Sequence, residues 1–321
     1  MANSNSAFLR EEYISRINKV MDFIDTHIDE DLSLIHLSNV ANFSQYHFHR
    51  IFSAIIGEPL SKYIQRIRLE KAAISLLAYP KDTVSQIALK CGFDNQASFS
   101  RAFKKHFGFS AVQLRSKPSL LKSKNCKTES KPGKDNLNLL PYNERKSIQY
   151  KEQFSLDISV NIEVKDIPEL TVIYIRNIGM FKGEPELFRK LLGKLFKWAG
   201  ARGLIQNPDP DTKILSVYHD NPDITDEARF RTSVCMTVPR DTVVDGEIGK
   251  MTITGGKYAV GHFELYAHQY KETWDFMYGG WFPDSGYQPD DRQCFEIYLN
   301  NPREHPDKKS IVDIYIPVKP L

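Results

Sequence analysis

Two pentads in this chain carry much the same side chains: Phe48-His49-Arg50-Ile51-Phe52 and Phe99-Ser100-Arg101-Ala102-Phe103. A glycine follows the last Phe of each at the same distance, Gly57 and Gly108. Helical spacing places Phe48, Ile51, Phe52 and Ile55 on one stripe, and Phe99, Ala102 and Phe103 on its counterpart. The opposite faces then present Gln45, Tyr46, His49 and Arg50 in the first copy, and Gln96, Ser100, Arg101 and Lys104 in the second. Such side chains read base edges: Arg grips guanine bidentately, Gln grips adenine, and Tyr or Ala packs on a thymine methyl. Lys104, Lys105, Arg66 and Arg68 suit phosphates, which give affinity but little sequence choice. A third stretch, "CFEIYL", offers different chemistry. Alternation puts Phe295, Ile297 and Leu299 on one face and Cys294, Glu296 and Tyr298 on the other. A carboxylate in such a strand is expensive to bury unless a partner satisfies it, and a cationic ligand would. Aromatic walls would add cation–π attraction. The candidates are Tyr298, its repeat partner Tyr218, Tyr258, Trp274 and Trp281, with His262 beside them.

The elements that must position these residues fall into two grammars. From Tyr13 to about Ser116 the pattern is helical throughout. A helix from Tyr13 to Ile28 leads to a short helix through Val40, a turn at Ala41-Asn42-Phe43, and a second helix opened by Ser44. A long helix from about Leu60 to Leu77 follows. The pattern then repeats: a cap at Asp82 or Thr83, a turn at Gly92-Phe93, and a helix from about Asn95 to His106. Short helix, tight turn and second helix is the helix-turn-helix arrangement, whose second helix enters the DNA major groove. Two units joined by one helix would read successive grooves, roughly 34 Å apart.

Residues 118–153 are polar and lysine-rich, with Pro118, Pro132, Gly133 and Pro141, and read as a basic linker. After Phe154 the pattern becomes strand-like. Seven stretches alternate: "SLDISVNIEVKDI", "LTVIYIRNI", "TKILSVYHD", "RFRTSVCMTVP", "KYAVGHFEL", "CFEIYLNNP" and "SIVDIYIPV". Pro185–Ala199 and about Tyr266–Tyr278 read as helices, and "YGGWFPDSGY" as a flexible loop over a cleft. "LSVYHDNP" and "FEIYLNNP" mark an internal repeat, each copy ordered strand, helix, strand, strand. The expected architecture is an all-α double helix-turn-helix domain over residues 1–117, followed by an α+β domain over 154–321 made of two such modules.

Composition agrees. A hydrophobic share of 41% and a charged share of 26% are ordinary for a globular protein. The net charge of +3 conceals a basic first half and linker and an acidic remainder, so only the former suits a polyanion. Four dispersed cysteines, Cys91, Cys126, Cys235 and Cys294, form no CxxC pair, which argues against a zinc site and a disulfide framework. No apolar run suggests a membrane span or signal peptide, and a cytoplasmic location is expected.

The stretch "IALKCGFDNQASFSRAFKKHFGFSAVQLR" resembles the AraC/XylS family signature, with its I-A-x-x-x-G-F and F-S-R-x-F-K-K-x-F-G elements. Ala111 stands where that family usually has proline, and Leu114 where it has an aromatic. The resemblance covers about Tyr13 to Arg115. It implies base contacts from Tyr46, His49 and Arg50, and from Gln96, Ser98, Ser100 and Arg101. The acidic half resembles the GyrI-like effector-binding domain through its duplicated module order and "CFEIYLNNP". That resemblance implies a small, cationic or aromatic ligand with Glu296 as its ionic anchor. The expected function is a ligand-responsive transcription regulator that binds double-stranded DNA, a small-molecule effector and, as a further partner, RNA polymerase. No catalytic residue, metal or other cofactor is expected. Two alternatives stand beside it: an acid–base hydrolase using Glu296 and Tyr298, or a tail that docks a protein.

Overall fold

The computed structural model describes residues 2–121, 161–179, 185–205, 212–222, 224–290 and 292–320. The linker expected over 118–153 lies almost wholly outside them. The chain divides into two compact units: Met1–Thr128 with Asp220–Phe230 and Val243–Gly249, and Glu129–His219 with Arg231–Thr242 and Lys250–Leu321. Among the described residues no helix is long and apolar enough to cross a membrane.

The first unit is helical: α1 (Ala2–Thr26), α2 (Leu34–Val40), α3 (Gln45–Ile56), α4 (Leu60–Ala78), α5 (Val84–Lys90), α6 (Gln96–Phe107) and α7 (Ala111–Ser116). Local chemistry sets the boundaries. The Ser33 hydroxyl accepts from the His36 N–H to open α2, and Thr83 and Ser110 close full capping boxes with Gln86 and Gln113. Gly57 and Gly108 end α3 and α6 at φ 79° and 86°, in the left-handed region where a Cβ is strained. Two cores result. Ile17, Met21 and Ile24 of α1 pack with Phe48 and Phe52, and Phe99, Phe103 and Phe107 pack with Ile87 and Leu114. Helix α4 belongs to both: Tyr63 and Ile67 enter the first core, Leu69, Ala73 and Leu76 the second.

In the second unit β1 (Asn161–Ile167), β2 (Leu170–Ile178), β3 (Ile214–Tyr218), β4 (Arg231–Thr237), β5 (Gly249–Ile253), β6 (Gly256–Leu265), β8 (Cys294–Tyr298) and β9 (Ser310–Pro320) form one sheet in the order β1-β6-β9-β8-β3-β4-β2-β5. A short β7 (Tyr287–Pro289) pairs with β9. Helix α8 (Pro185–Gly200) follows β2, and α9 (Tyr270–Phe276) follows β6. The order is palindromic about β3 and β8, as two strand-helix-strand-strand modules related by a pseudo-twofold require. The antiparallel register sets Ser216 opposite Glu296, Ile214 opposite Tyr298 and Tyr218 opposite Cys294. Each outermost strand is contributed from ahead of the other module: β1 joins β6, and β5 joins β2.

Some expectations fail. "YGGWFPDSGY" is not an open loop: a π turn over Met277–Trp281 runs into α10 (Phe282–Ser285). Met277 and Phe282 are buried there, so apolar contacts order the stretch despite its glycines. Strand β8 stops at Tyr298 and leaves Leu299 exposed, off the face of Phe295 and Ile297. Strands β5 and β7 carry too little apolar alternation to be seen in advance.

Candidate functional site

Helices α3 and α6 present the faces their spacing requires. Phe48 and Phe52, and Phe99 and Phe103, are fully buried. Gln45, His49 and Arg50 are exposed on α3, and Gln96, Ser100, Arg101, Lys104 and Lys105 on α6. The Tyr46 side chain lies outside the described residues. Among the described residues no ion pair holds Arg50, Arg101, Lys104 or Lys105, so these donors face solvent uncommitted. Ser98 differs: its hydroxyl donates to the Asn95 carbonyl at 2.8 Å, and its N–H donates to the Asn95 side chain at 2.9 Å. It is occupied in the cap of α6, whose register already makes it the residue that Asn95 reaches.

Arg66 and Arg68 are both engaged by the protein itself. Arg66 is buried, with Nη2 2.7 Å from Glu58 Oε1 and Nη1 3.2 Å from Glu70 Oε2. Burial works against its charge, but Glu70 and Glu58 outweigh that and raise its pKa. Arg68 donates from Nε to the Ile28 carbonyl at 3.0 Å and from Nη2 to the Glu30 carbonyl at 3.3 Å. Both lie on the packed side of α4, which a helix central to two cores must have on most of its circumference.

In the second unit Glu296 is 1% exposed. Trp274 Nε1 donates to Oε1 at 2.5 Å, the Tyr218 hydroxyl donates as well, and Tyr298 OH lies 3.0 Å from Oε2. Tyr298 OH is also 2.9 Å from Ser216 Oγ. With one proton to give, Tyr298 donates to the carboxylate and accepts from Ser216. Burial raises the Glu296 carboxyl above the ordinary range, and the three donors act against it. Burial raises the Tyr218 and Tyr298 hydroxyls well above theirs, and the Glu296 charge adds to this, so both remain donors. Among the described residues no Lys or Arg pairs with Glu296. It is a buried carboxylate with hydrogen bonds but no counter-charge, in an aromatic enclosure.

Four expected residues therefore meet: Glu296, Tyr298, Tyr218 and Trp274. Tyr258 and His262 do not. Tyr258 is fully buried against Phe295 on the opposite face of the sheet, its hydroxyl donating to the Thr254 carbonyl at 2.8 Å. His262, four positions along the same strand, is on that face too and holds Asp313 at 2.7 Å. Strand parity groups such residues but does not say which face a given strand turns to the site. Trp281 is half-buried with its ring edge on Phe282 and has no bond to the carboxylate.

Several residues of the enclosure escaped sequence reasoning. The Phe188 ring from α8 meets Tyr298 edge-on at 5.1 Å, and Tyr278 stacks on Trp274 at 6.2 Å. Burial pushes the Tyr270 hydroxyl up, with the Glu296 charge adding to it. A signal existed for two of them, since Tyr270, Trp274 and Tyr278 recur every fourth residue. Cys294 Sγ, 3.4 Å from Tyr278 OH, has its thiol pushed up to about 11 by burial. Away from this site Glu264, His305 and Asp307 cluster at the surface. There Lys309 Nζ sits 3.2 Å from Glu264, and His305 Nδ1 accepts the Asp307 N–H, which leaves the ring proton on Nε2. That is ion-pair chemistry rather than a metal cradle.

Comparison with known proteins agrees with this division. A helix-turn-helix domain model matches residues 37–117, and a GyrI-like small molecule binding domain model matches residues 161–319. The chain is 38% identical over 95 residues to the uncharacterized HTH-type transcriptional regulator YbfP of Bacillus subtilis, covering 30% of this chain and 32% of that one. It thus spans about a third of that relative's length. It is also 38% identical over 95 residues to the transposon Tn10 TetD protein of Escherichia coli, covering 30% of this chain and 68% of that protein. The cryo-EM structure of the EcmrR–DNA complex in EcmrR-RPo covers 90% of this chain and 99% of that one at 15% identity, with a TM-score of 0.42, too loose a likeness to carry detail across. With two thirds of TetD matched and a model of each half recovered, the chain belongs to the AraC-type helix-turn-helix transcriptional regulators, in a form that carries a GyrI-like small-molecule-binding domain.

Proposed function

We propose that this protein is a sequence-specific DNA-binding transcription regulator whose C-terminal domain senses a small lipophilic cation. The observation that carries the ligand reading is Glu296: a carboxylate buried among aromatic rings with three donors and, among the described residues, no counter-ion. Burial of an ion without a partner costs several kcal/mol, and a cation entering the enclosure offsets that cost. The DNA reading assigns base contacts to Gln45, Tyr46, His49, Arg50, Gln96, Ser100 and Arg101, and phosphate contacts to Lys104 and Lys105. RNA polymerase is its expected protein partner. Ligand acts on DNA binding only to the extent that it binds two states of the chain with different affinity.

The same geometry favours an anchor over a catalyst. A hydrolase needs an activated nucleophile beside its acid. Here burial raises the Tyr218, Tyr298 and Tyr278 hydroxyls and the Cys294 thiol, which leaves each protonated near neutral pH.

The test of the DNA assignment is Arg101→Ala on a site selected from random DNA. Affinity falls by about 1–3 kcal/mol and discrimination relaxes at one base. Lys104→Ala instead weakens all sequences alike and lowers the salt slope by about one. Lipophilic-cation binding, read by thermal shift with tetraphenylphosphonium, is unchanged in both. A wild-type footprint from Arg101→Ala sinks the assignment of α6.

A further inference from the structure

Helix α4 carries a polar cluster where it passes from one helical core to the other. Glu58, Arg66 and Glu70 are 7%, 5% and 6% exposed. Within the helices one guanidinium, Arg66, serves both carboxylates. Further partners come from residues 220–230, which pack in this first unit although they lie between β3 and β4 in sequence. Arg229 Nη1 is 3.1 Å from Glu58 Oε2, and the Thr225 hydroxyl donates to Glu70 Oε2 at 2.9 Å. Thr225 is 1% exposed, and neighbouring Ile224 packs on the second core.

The position of the cluster gives it leverage. Glu58 directly follows Gly57, the residue that ends α3, so it sits at the corner between the first reading helix and α4. Glu70 lies beside Leu69, where α4 enters the second core that mounts α6. Arg66 joins the two acids, and the 220–230 segment adds Arg229 on the Glu58 oxygen that Arg66 leaves and Thr225 on the Glu70 oxygen that Arg66 shares. We propose that Arg229 and Thr225 are positioning residues for DNA recognition: by completing this cluster they hold α3 and α6 at one working separation. Because the segment runs directly into β3 and β4 of the ligand-binding domain, it is also a covalent route by which that domain acts on the reader. The inference rests on the reading of α3 and α6 as the DNA-contacting helices.

The experiment uses the full chain and the site it selects from random DNA, with derivatives in which one base pair is inserted between the two half-sites or removed. The wild type loses about tenfold on each altered spacing, the scale of one mismatched contact. Arg229→Ala and the near-isosteric Thr225→Val reduce that penalty to about threefold or less, while Arg229→Lys keeps it. The thermal midpoint of Thr225→Val, measured alongside, separates a lost position from a lost fold. The proposal is overturned if both Arg229→Ala and Thr225→Val retain the wild-type spacing penalty, or if the wild type is indifferent to spacing. Unimpaired binding by Arg101→Ala would instead fault the assignment of the readers, whatever the spacing result.

Discussion

Glu296→Gln removes the charge at the centre of the aromatic enclosure, and binding of tetraphenylphosphonium falls by about 2–5 kcal/mol, roughly thirty- to several-thousand-fold. The substitution keeps the shape. A glutamine carbonyl still accepts from Trp274 Nε1, and its amide nitrogen in the other position donates to the Tyr298 hydroxyl, which turns its own proton to Ser216. What disappears is the buried negative charge, so a neutral aromatic ligand of the same outline binds wild type and variant alike. The pH dependence has a definite sign. A cation needs the ionised carboxyl, and burial raises the Glu296 pKa. Affinity therefore falls as pH drops through that raised pKa, starting at a higher pH than an exposed glutamate would give. The unliganded domain shows the converse. Between the unfolded and the raised folded pKa the native state holds the proton more tightly, so stability declines as pH rises through that window. Both trends are absent from Glu296→Gln. Titration calorimetry at several pH values decides the matter: a variant that binds the cation within twofold of wild type removes the anchor from the account.

Phe103→Ala unfolds the second reading unit without touching a DNA-facing residue. The ring is fully buried and lies 5.3 Å from Phe99, 4.6 Å from Phe107 and 6.4 Å from Phe109 by ring centroids. Truncating such a ring costs about 3–5 kcal/mol, comparable to the whole stability of a small domain. Specific DNA binding is lost with it. Arg101, two positions earlier and exposed, is the control: its alanine variant changes stability by no more than about 0.5 kcal/mol while weakening DNA binding. Urea unfolding followed by helical circular dichroism compares the two. A Phe103→Ala midpoint that shifts by less than about 1 kcal/mol equivalent would show that these aromatics are not the mounting of α6.

The helical half was legible because its information is local. Capping residues, glycines in the left-handed region and aromatic pairs at helical spacing act within one turn or one corner, and they return α2 to α6 to within a residue or two, whereas α1 begins at Ala2 and not at Tyr13. What local pattern could not show is which side of α4 faces inward. Arg66 and Arg68 have the composition of phosphate ligands, yet the two cores that α4 serves take up the sides that carry them. In the sheet, alternation placed Glu296 and Tyr298 together and Phe295 apart. It could not decide Tyr258 or His262, because parity within β6 says nothing about its orientation relative to β8. That is set by the register of β9, which lies between them.

By itself, then, the sequence determined the two-part plan, the doubled reader with its inward and outward faces, and the duplicated module with one carboxylate at its centre. Periodicity and capping are properties of neighbouring residues. Only the tertiary structure decided the company that carboxylate keeps. Ser216 faces it across the pseudo-twofold, Trp274 arrives from α9, and Phe188 comes from the other module's helix to edge Tyr298. Only the tertiary structure, too, brought Arg229 and Thr225 to α4. Contacts between residues so distant in sequence follow from strand order, register and helix packing, which no local spacing encodes.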